Sequence, residues 1–252
     1  MIASGLVSVT FRQLSPSEIV ALAVRAGLDA VEWGGDVHVP PDDATKAAEV
    51  GRLTRESGLR VASYGSYYRV GEGQPFEPIL AAAQALGAPS IRVWSGAVSS
   101  ASATEADRER VAADFARIAD LAAKEKIAVA CEFHDGTLTD DAPSVLAMLG
   151  RVGRPNVHSY WQPRHGKPVG TGLEEIASLA PVLSNLHVFQ WWPTAAERHP
   201  LAEGKDRWRA FLQAAAKVPG DRFALMEFVL GDSPDQFLAD AAVLRELIAE
   251  VG

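Results

Sequence analysis

An acid and a base lie two residues apart where an apolar run gives way to turn residues, in the segment CEFHDGT at 131–137. These residues are Glu132 and His134. Side chains two apart on a strand project from the same face, so both share a face with Ala128 and Ala130. The side chains on that face are, in order, two small residues, an acid and a base. This pattern indicates proton transfer or metal binding at the end of a strand.

Three further groups of the same kind follow later apolar runs: Gln162, His187 and Glu227. Oxygen ligands with one imidazole suit Mn²⁺, Mg²⁺ or Zn²⁺, and the absence of thiolates disfavours a structural zinc site. A lone glutamate at a strand end is more often solvated, and a lone histidine is more often a hydrogen-bonded core residue. The recurrence of such groups at the same level of successive strands favours a metal site.

The elements that carry these residues are short strand-like runs, each followed by a segment that can form a helix. This alternation predicts βαβ units and a parallel sheet. Eight units in 252 residues predict a (β/α)8 TIM barrel forming a single domain over 1–252. The competing open sheet usually has a glycine-rich loop after its first strand, which residues 10–15 do not provide. The predicted strands are Leu6–Thr10, Asp29–Trp33, Leu59–Ser63, Ser90–Trp94, Ile127–Phe133, Val157–Gln162, Asn185–Gln190 and Arg222–Phe228.

Helix punctuation agrees with this division. Ser15 and Ser233 each begin a capping box with proline at the first helical position. Gly27, Gly58 and Gly87 are placed to end helices in the left-handed conformation. The longest helical pattern covers 103–126.

Composition limits the class of partner. The net charge of −8 and the lack of a basic run exclude a nucleic-acid backbone as an expected partner. A single cysteine fits a reducing cytoplasm, which is the expected location. No apolar stretch approaches the ~18 residues of a membrane span, so no membrane partner is expected. A small molecule is the expected partner, and a homo-oligomer remains open.

In a TIM barrel the functional site lies at the C-terminal ends of the strands. Five of the six tryptophans occur at predicted strand ends, which suits either an apolar floor for a sugar ring or ordinary rim packing. They are Trp33, Trp94, Trp161, Trp191 and Trp192.

The whole chain resembles the xylose-isomerase-like TIM barrels, a family that includes sugar phosphate isomerases and epimerases, inosose dehydratase and endonuclease IV. The resemblance implies that Glu132, Gln162, His187 and Glu227 bind one divalent ion, either Mn, Mg, Co or Zn. The family pattern Asp-Pro-x-His reads Gln162-Pro-Arg-His165 here, so the amide removes one negative charge. His165 and Arg198 correspond to substrate-binding residues.

The expected function is that of a metal-dependent isomerase or epimerase of a small ketose or related hydroxy-carbonyl compound. Glu132 and Glu227 would carry protons on opposite faces of the substrate. The substrate-binding residues would be His134, His165, Arg198 and Trp33. Two alternatives remain open: a dehydratase of a cyclic polyol ketone, and a non-catalytic sugar-binding barrel. The acidic chain and the lack of extra histidines disfavour an endonuclease.

Overall fold

A computed structural model describes residues 1–252 and shows one closed barrel of eight parallel strands in chain order. This confirms the predicted (β/α)8 fold. The strands are β1 Ile2–Val7, β2 Ala30–Gly34, β3 Arg60–Arg69, β4 Ser90–Trp94, β5 Ala128–Cys131, β6 Val157–Trp161, β7 Leu183–Val188 and β8 Arg222–Met226.

Each strand is followed by an α-helix. The helices are α1 Pro16–Arg25, α2 Ala44–Glu56, α3 Glu77–Leu86, α4 Glu105–Lys124, α5 Ala142–Val152, α6 Val169–Leu179, α7 Lys205–Ala216 and α8 Pro234–Val251. Ser15 forms the predicted capping box with Glu18, whereas Ser233 caps α8 only through the backbone N–H of Gln236. Gly27, Gly58 and Gly87 have positive φ, as predicted for helix-ending residues.

Only β4 has the predicted bounds, and β1 and β3 differ most from the prediction. β5 ends at Cys131, so Glu132 and His134 follow the strand and are not part of it. The first strand begins at Ile2, and residues Ser8–Phe11 form a 3₁₀ turn instead of the predicted strand end. The β-branched residues there are buried, so a run of apolar residues does not distinguish a strand from a buried turn. The third strand continues to Arg69 and carries Tyr64, Tyr67 and Tyr68 up to the barrel rim.

Alternation along the strands separates two apolar regions. Val31, Trp33 and Val129 face outward into a large core between the barrel and its helices. A smaller cluster lies on the opposite face, inside the barrel, and includes Ala30, Ala130 and Tyr160. The interior residues that can form a site are therefore those that follow this cluster along the strands, toward the C-terminal rim of the barrel.

No helix is both long and apolar enough to cross a bilayer.

Candidate functional site

A cavity of about 240 Å³ opens at the C-terminal ends of the strands. This is the end of the barrel where the sequence predicts a site. The cavity is lined by Arg12, Tyr67, Arg92, Trp94, Glu132, His134, Gln162, His165, Trp191, Glu227 and Phe228.

The predicted metal ligands converge at the base of this cavity. Ligand atoms of Glu132, His187 and Glu227 all lie within 4.8 Å of one another. His187 Nδ1 is 3.5 Å from Glu227 Oε2 and 3.9 Å from Glu132 Oε1. Gln162 Oε1 lies 3.0 Å from the same nitrogen. Four groups from four consecutive strands therefore surround one point, as the barrel order requires.

A buried arginine holds Glu132, the residue that follows β5. The Arg92 guanidinium donates from Nη1 to Glu132 Oε2 and, from Nε, to Glu32 Oε1 at 2.8 Å. All three side chains are almost wholly buried. Arg92 and Glu32 lie on β4 and β2, with their side chains on the interior face of the barrel, so closure of the sheet brings them together.

Burial and the neighbouring charges act together on the ionisable groups. Burial raises the pKa of Glu227. For Glu32, burial also opposes ionisation, but Arg92 and His187 outweigh it and hold the pKa of Glu32 well below its usual range. Burial opposes the charged form of His187, but the Glu227 and Glu32 carboxylates outweigh it and raise the pKa of His187.

The donor set fits a divalent cation. Ionised Glu32, Glu132 and Glu227 against one guanidinium leave two negative charges uncompensated when the imidazole is neutral. Buried charge without compensation is costly, and a divalent ion would balance it. The ligand types, carboxylate, imidazole and amide oxygen, suit Mn²⁺, Mg²⁺ or Zn²⁺.

Stacked aromatic rings form two walls of the cavity. On one side Trp94 stacks on His134 with ring centroids 4.6 Å apart, and the Arg69 guanidinium lies over the Trp94 ring, 4.3 Å from its centroid. On the other side His165 stacks on Trp191 at 5.6 Å with the rings nearly parallel. Both walls are therefore rigid and flat, which suits the ring or carbon backbone of a small substrate.

Two buried nitrogens on these walls have no hydrogen-bond partner, Trp94 Nε1 and His165 Nε2. A buried polar atom without a partner is unfavourable, and a ligand oxygen that reached either atom would satisfy it. His134 Nδ1 lies 2.7 Å from the carbonyl oxygen of Asp135. A carbonyl oxygen can only accept a hydrogen bond, so His134 Nδ1 carries a proton. In the neutral ring, Nε2 then has a lone pair that can accept a hydrogen bond.

Three of the four predicted substrate-binding residues lie at the cavity or at its rim. His134 and His165 line the cavity, whereas Arg198 lies at the rim, over the rings of Trp191 and Phe228. Arg198 is bound to Asp232 at 2.7 Å.

The prediction for Trp33 is wrong. Its side chain is fully buried in the outer core, and Nε1 donates to Thr54 Oγ1 of α2 at 3.1 Å. The reason is strand alternation: Glu32 points into the barrel, so Trp33 points outward. Trp161 faces outward for the same reason and donates to Glu175 of α6. Of the five tryptophans, Trp94 and Trp191 line the cavity.

Sequence reasoning missed Glu32, Arg92, Tyr67 and Arg12. A charged residue in the middle of a short apolar strand, as in SIRVW at 90–94, was the available signal for Arg92. Arg12 follows the 3₁₀ turn and donates to Asp36 Oδ2 and to the Tyr67 hydroxyl, each at 3.0 Å. Nothing in the local sequence marks that contact, because its partners are 24 and 55 residues away.

Comparison with known proteins shows the class to which this barrel belongs. The family profile described as Xylose isomerase-like TIM barrel matches residues 20–247. The chain belongs to that family. A curated relative, the 3-dehydroshikimate dehydratase of Bacillus anthracis, is 25% identical over 277 residues and covers 98% of each chain.

Solved structures of both dehydratases and epimerases share the fold. The probable 3-DHS dehydratase involved in petrobactin synthesis from Bacillus anthracis superposes with a TM-score of 0.81 at 22% identity, covering 96% of this chain and 98% of that one. The D-allulose 3-epimerase from Methylomonas sp. superposes with a TM-score of 0.73 at 18% identity, covering 100% and 97%.

Proposed function

We propose that this protein is a divalent-metal-dependent enzyme that removes a proton next to a carbonyl group and eliminates water from a small cyclic hydroxy ketone. The observation that carries the proposal is the unequal environment of the two glutamates. One oxygen of Glu132 is held by Arg92, and the other faces His187. Glu227 makes no ion pair with an arginine; it lines the cavity, and its Oε2 faces His187.

This asymmetry supports a mechanism with one carboxylate base. Glu227 accepts the proton from the carbon next to the carbonyl through Oε1, the oxygen that does not face His187. The electron pair of that C–H bond forms a double bond as the adjacent C–O bond breaks. Glu227 returns that proton to the departing hydroxyl, which leaves as water, so the products are an unsaturated ketone and one water molecule.

The remaining residues bind and orient the substrate. Trp94 Nε1 and His165 Nε2 offer hydrogen-bonding nitrogens to its oxygens, and the two stacked walls hold the ring. His134 Nε2 accepts a hydrogen bond from a substrate hydroxyl. A divalent ion held by Glu132, Gln162, His187 and Glu227 would supply Lewis-acid polarisation of the carbonyl.

The similarity to the dehydratase of Bacillus anthracis supports the dehydratase proposal, and the alignment covers 98% of each chain. The second candidate is epimerisation of a ketose, supported by the presence of two glutamates at one cavity. Epimerisation needs a proton carrier on each face of the substrate. Glu132 would serve on the second face through Oε1, the oxygen that Arg92 does not hold.

Deuterium exchange distinguishes these candidates. Wild type, Glu132→Gln and Glu227→Gln are incubated with saturating Mn²⁺ in D₂O, with a panel of ketoses and cyclic hydroxy ketones that includes 3-dehydroshikimate. A dehydratase generates the ultraviolet absorbance of a conjugated product. We expect Glu227→Gln to lower the rate by on the order of 10²-fold or more. Glu132→Gln should retain a larger share of the C–H exchange.

The control variant is Glu175→Gln, since Glu175 is a buried glutamate outside the cavity that accepts from Trp161. It should leave exchange unchanged. Inversion of a ketose centre without water loss, with both cavity variants failing, would favour the epimerase. If the wild type exchanged no C–H proton of any compound with D₂O, the result would favour a non-catalytic sugar-binding barrel.

A further inference from the structure

Glu32 is a fully buried carboxylate beneath the candidate metal ligands and is not one of them. Its Oε1 accepts from Arg92 Nε at 2.8 Å. Its Oε2 accepts from the Ser63 hydroxyl and, at 2.8 Å, from the Tyr160 hydroxyl. Both oxygens are therefore occupied by protein donors, which fixes the orientation of the carboxylate.

The direction of the Tyr160 hydrogen bond is determined by a further residue. Asn185 Nδ2 donates to the Tyr160 hydroxyl oxygen at 3.0 Å, and Asn185 Oδ1 accepts from the backbone N–H of Phe223. The amide orientation is thus set by the backbone, so the single hydroxyl proton of Tyr160 points to Glu32. Glu32 and its three donors lie on β2, β3, β4 and β6, and the bonds that fix Tyr160 add β7 and β8.

His187 connects this network to the cavity. Its Nδ1 faces the oxygens of Gln162, Glu132 and Glu227. Its Nε2 is buried, has no hydrogen-bond partner, and lies 3.7 Å from Glu32 Oε1. The Tyr160 ring packs edge-on against the imidazole at 5.1 Å, which restricts rotation of the ring.

We propose that Glu32 is a positioning residue for His187: when a metal replaces the proton that Nδ1 directs at Gln162 Oε1, Glu32 Oε1 accepts from Nε2–H, and the Nδ1 lone pair is directed at the site formed by Glu132, Gln162 and Glu227. A histidine that binds a metal through one nitrogen carries its proton on the other, and a carboxylate commonly accepts that proton's hydrogen bond. Through Arg92, the same carboxylate also fixes Glu132. This inference rests on the metal site of the proposed function.

A purely structural role for Glu32 makes a different prediction. If Glu32 served only to neutralise buried Arg92, its loss would lower stability without changing the metal affinity of the folded protein. If it positions His187, its loss lowers metal affinity as well. Because Glu32→Gln also removes a negative charge that attracts a cation, its metal affinity is compared with that of Ser63→Ala, which keeps the charge of Glu32.

The test is calorimetric titration of chelator-treated protein with Zn²⁺, using wild type, Glu32→Gln and the control Glu175→Gln. Removal of a partner that orients a metal-binding histidine typically costs 10–100-fold in affinity, and we expect a loss of about that size for Glu32→Gln. Glu175→Gln removes a buried carboxylate of the outer layer and should leave Zn²⁺ affinity unchanged.

A spectroscopic measurement does not depend on the folding of any variant. In the ¹⁵N-labelled wild type loaded with diamagnetic Zn²⁺, long-range ¹H–¹⁵N spectra should show His187 with its proton on Nε2.

Ser63→Ala removes one hydrogen bond to Glu32 and keeps the charge of Glu32. This variant should bind Zn²⁺ more weakly than the wild type, by a smaller factor than Glu32→Gln.

A proton on Nδ1 of His187 in the Zn²⁺-loaded protein would overturn the inference, as would equal Zn²⁺ affinity of Glu32→Gln and wild type. If the wild type took up no Zn²⁺, Mn²⁺ or Mg²⁺, the proposed function and this inference would fail together. Metal uptake that is insensitive to Glu32 would remove this inference alone.

Discussion

At the scale of single residues, Gln162 determines the charge of the candidate metal site. It lies where the family pattern has an aspartate, and its Oε1 is 3.0 Å from His187 Nδ1. Arg92 already compensates one buried carboxylate of this cluster. With the neutral amide, a divalent ion brings the total charge of the three buried glutamates, Arg92 and the ion to zero. An aspartate at 162 would add one negative charge to that total.

Gln162→Asp should therefore tighten Mn²⁺ binding. A contact to a charged oxygen is stronger than one to a neutral oxygen, and we expect a gain of ~1–3 kcal/mol. Calorimetric titration of the chelator-treated protein measures it, with His187→Ala as the variant that should abolish binding. Unchanged affinity of Gln162→Asp would show that Gln162 does not contact the ion.

At the scale of elements, close approach of helices depends on positions where only glycine fits. A Cβ on Gly51 of α2 would lie 2.2 Å from the carbonyl oxygen of Leu86, at the end of α3. Gly150 of α5 is also helical, and a Cβ there would meet nothing within 4 Å. The same substitution therefore has opposite expected effects in two helices of this barrel.

Gly51→Ala should destabilise the protein by about 1–3 kcal/mol or more, because the backbone of α3 must move to admit the methyl group. Gly150→Ala should stabilise it by ~0.4–1 kcal/mol, since alanine restricts the unfolded chain and favours the helix. Urea unfolding of both variants gives the free energies. Equal effects of the two substitutions would contradict this account of α2–α3 packing.

At the scale of the whole molecule, folding buries Tyr64, Tyr68 and Tyr160 and leaves Tyr67 half-buried at the cavity. Burial raises the pKa of Tyr64, Tyr68 and Tyr160, and raises the pKa of Tyr67 to about 12 despite the opposing charge of Arg92. Three of the hydroxyls donate to buried or partly buried acceptors. Folding therefore keeps the phenols neutral at a pH where the unfolded chain ionises them.

The sign of the pH dependence follows from linkage. A group whose pKa is raised by folding stabilises the folded state fully below its unfolded pKa, about 10 for tyrosine. That stability is lost as pH rises from about 10 through the folded pKa of Tyr67, about 12.

We therefore expect no tyrosinate absorbance near pH 10 in the native protein, and an increase only with alkaline unfolding. A urea-unfolded sample is the control and should titrate near pH 10 at all four tyrosines. A tyrosine that titrated near pH 10 in the folded protein, with its circular dichroism unchanged, would contradict the burial described here.

The sequence by itself determined the eight-unit alternation, the parallel barrel and most of the residues that meet at its rim. Those features depend on local patterns: β-branched runs, helix caps, and polar residues at strand ends. Glu132, Gln162, His187 and Glu227 were predictable because parallel strands in a barrel end at the same rim, so their ends converge once the fold class is known.

Only the tertiary structure decided which strand-end side chains face inward and how the buried charges pair. Trp33 lies outside the site and Glu32 inside, because a shift of one residue along a strand exchanges its two faces. The Arg92 contacts with Glu32 and Glu132 span 60 and 40 residues of sequence. They exist because the closed barrel brings β2, β4 and β5 around one interior, which no local pattern of residues specifies.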